Sequence, residues 1–159
     1  METAKFFYVT YIAATPEKLW DAIVEPDVAA KYWQHINVSD WKPGSRWEHH
    51  RAGKQGAPLL VGRIIEVSRP QRLVLTWAVP ADEEREEKRT RVTFEFEPMG
   101  DVTRLTLTHD RLALGSHMHH DIAEGWPRVL ASLKTLMETG QALPELWGET
   151  ATQGQGKQR

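Results

Sequence analysis

Near the C-terminal end, Trp126, Val129, Leu130, Leu133, Leu136 and Met137 recur at the three- and four-residue spacing of a single helical face, and Gly140 follows as a natural stop. A stripe of this length has to be covered. The segments before it alternate with the period of strands, so no second long helix is available as a partner, and the stripe must lie on the apolar face of a sheet. Pro127 falls inside the stripe, which predicts a kink or a late start to the regular helix.

Those preceding segments read in order. Residues 5–12 are rich in aromatic and β-branched side chains and read as a strand. Thr15 then caps a helix with Pro16 at its first position and Glu17 against the positive end of its dipole, and Leu19, Trp20, Ile23 and Val24 share one face. Pro26 is expected to end it, and a second short helix over 27–33 takes Asp27 as its cap. After the turn Pro43-Gly44-Ser45 the pattern becomes strands: 46–51, 59–67, the alternating Leu73, Leu75, Trp77 and Val79, then Val92, Phe94 and Phe96, and last Leu105, Leu107 and His109. Between them "ADEEREEKR" reads as a solvated hairpin tip or strand extension whose charges offset each other. The fold class is α+β: a curved antiparallel sheet of about six strands wrapped around one long C-terminal helix, with two short helices after the first strand. A single domain over 1–147 and a disordered tail over 148–159 are expected.

Composition excludes several functions. The 20 Lys and Arg against 22 Asp and Glu leave a net charge of −2, which gives no reason to expect nucleic acid as a partner. Cysteine is absent, so there is no disulfide, thiolate zinc site or cysteine nucleophile. No apolar run approaches the roughly 18 residues of a membrane span, and no secretory signal is visible behind Glu2, so a cytoplasmic location is expected. Nucleophile elbows, phosphate-cradling glycine loops and His-Glu-x-x-His are missing as well, and neither a cofactor nor an enzymatic activity is supported.

Taken together, "AATPEKLWDAIVEP", "PGSRWEHH", "VGRIIEVSRPQRLVLTW", "TRLTLTH" and "EGWPRVLASLKTLMETG" resemble the START-like (SRPBCC) superfamily, in particular its branch related to the activator of heat-shock protein 90 ATPase. The resemblance implies a helix-grip domain with a hydrophobic cavity between sheet and C-terminal helix. Members bind lipids, hormones or polyketides, some catalyse cyclisation, and a chaperone partner is a further implication. Two departures stand out. His109-Asp110-Arg111-Leu112 takes the place of a segment in which relatives often carry a glycine, and the charged "ADEEREEKR" stretch is longer than usual and is expected to remodel one rim of the pocket.

Within that frame Trp33, Trp47, Trp77, Phe94, Leu107 and Trp126 are the candidate pocket wall, although a filled core has the same composition. Strand alternation aligns His49 with Trp47, and His109 with Leu105 and Leu107, so each histidine is either a polar anchor or proton carrier in the cavity or a satisfied core residue. Arg51, on the Trp47 face, would suit a carboxylate or phosphate, or would run outward along the surface. His117, His119 and His120 in "ALGSHMHHDIAEGW" read as a solvated helix start rather than a metal site. The leading function is a binding protein enclosing a hydrophobic or amphipathic small molecule or lipid. The alternatives are a cyclase- or hydrolase-type enzyme using His49 or His109, and a module modulating a chaperone ATPase.

Overall fold

A computed structural model describes residues 2–54, 56–144 and 146–147. The expected tail over 148–159 lies outside the described residues. The elements in chain order are β1 (Thr3–Ile12), α1 (Pro16–Val24), α2 (Pro26–Tyr32), β2 (His35–Ser39), β3 (Arg46–Arg51), β4 (Leu60–Ser68), β5 (Arg72–Trp77), β6 (Thr90–Met99), β7 (Val102–Ala113) and α3 (His117–Thr139). The strands form one antiparallel sheet in the order β1-β7-β6-β5-β4-β3-β2, with α3 packed against it, the helix-grip arrangement.

Local chemistry explains most boundaries. The Thr15 hydroxyl accepts from the Lys18 amide at the start of α1. Pro26 both prevents α1 from continuing and opens α2, because its fixed φ and missing N–H suit a first helical position; Glu25, rather than Asp27, is the residue that precedes this helix. Ser116 caps α3 by accepting from the His119 amide, and Gly140 closes it at φ 87°. The helix begins well ahead of Pro127 and runs through it, so the late start does not occur. Proline there leaves the Ala123 carbonyl without its helical donor, and Ala123 is exposed, where water can supply one.

The sheet has seven strands rather than about six, and the extra one is β2. Its sequence, HINVS, inverts the usual polarity: His35 and Asn37 are buried while Val38 is exposed. Asn37 makes this tenable. Its side-chain amide donates to the Ile23 carbonyl at 2.9 Å, and its oxygen accepts from Trp47 Nε1 at 3.1 Å and His49 Nδ1 at 2.8 Å. The charged stretch also differs from expectation, forming two single-turn 3-10 helices, Pro80–Asp82 and Glu86–Lys88, between β5 and β6. Arg46 on β3 holds it with a two-pronged contact to Glu83, at 2.7 and 3.0 Å, and this hydrogen-bonded fork keeps the Glu83 carboxyl below its ordinary pKa.

One position tolerates no side chain. A Cβ on Gly62 in β4 would lie 2.0 Å from the Thr76 carbonyl oxygen of β5, next to the point where the Arg63 amide donates to the Thr76 hydroxyl at 2.8 Å. Gly62→Ala is therefore expected to cost about 1–3 kcal/mol, as overpacking that moves backbone does. Urea unfolding checks this, and a midpoint equal to that of the parent would mean that the two strands spread freely there.

Candidate ligand-binding pocket

The apolar stripe of α3 is used in two ways along its length. Toward the C-terminal end Leu130 and Leu133 are fully buried in the continuous core with Ile12, Leu105 and Leu19, and the helix fills the hollow of the sheet. Toward the N-terminal end Met118, Ile122, Gly125, Trp126 and Val129 instead face a cavity of about 330 Å³. This is near the lower end of the roughly 300–1,000 Å³ of small-molecule sites.

Rings dominate the wall. Trp33, Trp77, Trp126 and Trp147 line the cavity together with His35 and His49. They pack against one another as a continuous cage: Trp33 on Trp126 at 5.5 Å, Trp126 on Trp77 at 5.3 Å, Trp77 on His49 at 5.4 Å, His49 on His35 at 4.9 Å and His35 on Trp147 at 5.7 Å between ring centres. Each contact lies in the range where offset or edge-on ring pairs attract, so the walls are held by each other before anything enters. Trp147 is fastened by its indole N–H, which donates to the Trp33 carbonyl at 3.2 Å and so closes the chain's last described residues over the end of α2.

Of the residues singled out from sequence, Trp33, His49, Trp77 and Trp126 line the cavity, and Trp47, Phe94, Leu107 and His109 form the buried layer behind it. Trp47 stacks on Trp77 at 4.9 Å, and Phe94 meets Trp126 edge-on at 5.8 Å. Arg51 is not among the lining residues; it sits at the end of β3 opposite His35, half-buried. His35, Thr90 and Trp147 are among the wall residues that alternation and helical periodicity did not mark, as are Met118, Ile122 and Gly125. His35 was hidden by the inverted polarity of β2. Trp147 left a signal in the short apolar segment after Gly140.

His109 has no exposed surface and both of its ring nitrogens are engaged. Trp126 Nε1 donates to Nδ1 at 3.1 Å, and an indole nitrogen can only donate, so Nδ1 carries no proton. The proton of the neutral ring therefore sits on Nε2, which donates to the Thr90 hydroxyl at 2.7 Å, and that hydroxyl passes its own hydrogen to the Trp77 carbonyl at 2.6 Å. Burial lowers the His109 pKa to about 3, in keeping with a ring held neutral. This relay joins α3, β7, β6 and the end of β5, and it leaves no lone pair on His109 for a substrate proton. His49 is oriented in the opposite sense, with Nδ1 donating to the Asn37 oxygen.

The mouth is charged. Asp82, Glu87 and Lys88 from the 3-10 segment, Arg111 and Ala113 from the end of β7, and Ser116, His117 and Asp121 from the start of α3 border it. His117 Nε2 lies 3.5 Å from Asp121, and the Gly115 amide donates to His119 Nδ1 at 3.0 Å, so the histidine-rich stretch is the first turn of a helix at the rim of the pocket. The long charged segment does shape one side of the opening.

Known proteins agree with this architecture. A family model described as activator of Hsp90 ATPase homolog 1-like protein matches residues 13–138. A solution structure from Bordetella parapertussis superposes with a TM-score of 0.70 at 26% identity, over 96% of this chain and 83% of that one. The Aha1 dimer from Colwellia psychrerythraea gives 0.68 at 19% identity, over 87% and 99%. CalU16 from Micromonospora echinospora gives 0.67 at 20% identity, over 97% and 84%. No curated protein matches the chain in sequence.

Proposed function

We propose, from the premise that the chain belongs to the activator of Hsp90 ATPase homolog 1-like family, that this protein binds a hydrophobic or amphipathic small molecule in the cavity between sheet and helix. The observation that carries the reading is the cage itself: about 330 Å³ walled by four tryptophans and two histidines, where further along the same helix Leu130 and Leu133 are buried in the continuous core. A void in a well-packed interior forfeits contacts, and rings held apart around one are a wall rather than a core. Catalysis through His109 has no support, because both nitrogens are committed and its pKa lies far below neutrality.

The test is thermal unfolding against a panel of fatty acids, sterols and flavonoid-like aromatics. A ligand that binds the folded state alone at a hundredfold over its Kd adds about 2.7 kcal/mol, a rise of roughly 5–10 °C for a domain of this size. Tryptophan emission should change at the same concentrations, since four indoles face the guest. A flat response across the panel would remove the binding role. The family also brings a second reading, an interaction with a chaperone ATPase through the outer surface. That reading expects partner binding to persist when the pocket is occupied.

A further inference from the structure

The rim of the cavity has a charge asymmetry that the walls do not. Its acids are engaged: Asp82 and Glu87 lie 3.6 and 3.8 Å from Arg85, and Asp121 is beside His117. Its two permanent cations are not. Arg111 and Lys88 both border the opening, both are exposed, and neither forms an ion pair among the described residues.

Arg111 reaches the rim through a distortion of β7. Ala4 pairs with Leu112 and Phe6 with His109, so Lys5 alone faces the two residues Asp110 and Arg111. Regular alternation after Leu105, Leu107 and His109 would send residue 111 into the core; the bulge gives that place to Leu112 and turns Arg111 to the mouth. The cost is a backbone φ of 62°, the left-handed region where glycine is at ease and arginine is not. Asp110 does not take up the charge, being paired with Arg91 at 2.7 Å. The first turn of α3, which contains no acidic residue, lies on the same rim and adds the positive end of its dipole.

Building on the binding role above, we propose that the guest is an amphiphilic anion, with an apolar ring system or chain in the tryptophan cage and one carboxylate, sulfonate or phosphate group at the mouth against Arg111 and Lys88. A charge pair at the lip of a low-dielectric cavity is less screened than one on an open surface. The planar guanidinium also matches such a group in a two-point contact.

Two fluorescent probes sharing one apolar body separate this from simple apolar binding: anilinonaphthalene sulfonate, and N-phenylnaphthylamine, which lacks the sulfonate. The protein is expected to hold the sulfonate probe about tenfold more tightly, a difference of about 1.4 kcal/mol. Arg111→Gly combined with Lys88→Gln should reduce that preference to less than about twofold and leave the neutral probe unaffected. Glycine suits the backbone at 111, so the variant should fold at least as stably as the parent, which a thermal melt verifies. Equal affinities in the parent, or a preference that survives in the double variant, overturn the anionic guest while the binding role stands. If neither probe binds, both fall.

Discussion

Acidification from pH 7 to 4.5 is expected to remove about 3 kcal/mol of stability through His109 alone. The ring titrates near 6.5 in the unfolded chain, whereas burial lowers its pKa to about 3 in the folded protein. Between those values the unfolded state takes up a proton that the folded state refuses, so the free energy of unfolding falls as pH falls. The contribution is fully present above about pH 6.5 and is lost progressively down to about pH 3. The main cause is burial, which penalises the charged ring, and the relay acts in the same sense: a proton on Nδ1 would face the indole N–H of Trp126, which already points at it from 3.1 Å. His109→Gln keeps one acceptor and one donor without a titrating ring. Urea midpoints at the two pH values should drop much less in that variant than in the parent, and the difference isolates His109 from the carboxylates and other histidines. Identical drops would mean that the ring is protonated at little cost and that the relay does not fix its state.

Which features were legible in the sequence follows from how local their causes are. The α3 stripe, the Thr15 cap and the inward row Leu105, Leu107 and His109 depend on spacing along the chain, and spacing is what a sequence displays. β2 was missed because its buried residues are polar and its exposed one is valine; the pattern makes sense only once Asn37 is seen bridging Ile23, Trp47 and His49. Arg51 and Arg111 show the same limit from two sides. Alternation carried Arg51 toward the pocket, but the end of β3 lies outside the lining. The arginine at the mouth comes from a bulge set by the pairing of β7 with the distant β1, which no local pattern encodes. The family resemblance supplied the idea of a cavity, whereas its position against one half of α3 alone depends on residues from all seven strands and α3 meeting.

Trp126 is where these strands of argument meet, and its removal should have the largest effect of any single change. Its ring touches Trp33, Trp77 and Phe94 and stands 6.3 Å from the ring of His109, so it is at once wall, core and hydrogen-bond donor. Trp126→Ala is expected to cost about 3–5 kcal/mol from lost burial and the cavity left behind, against a total stability of about 5–15 kcal/mol for a domain. Trp126→Phe retains much of the ring contact but deletes the donor to His109 Nδ1, and an orphaned buried acceptor costs about 1–3 kcal/mol. The gap between the two variants in urea unfolding therefore separates packing from hydrogen bonding at one residue. The alanine variant also joins the space of the missing indole to the existing cavity. A guest that raises the melting temperature of the parent should then fit it less closely and give a smaller rise, even though the variant has more stability to regain. If Trp126→Ala unfolds within about 1 kcal/mol of the parent, the rings do not hold one another, and the cage is a loose collection of side chains rather than a preformed wall.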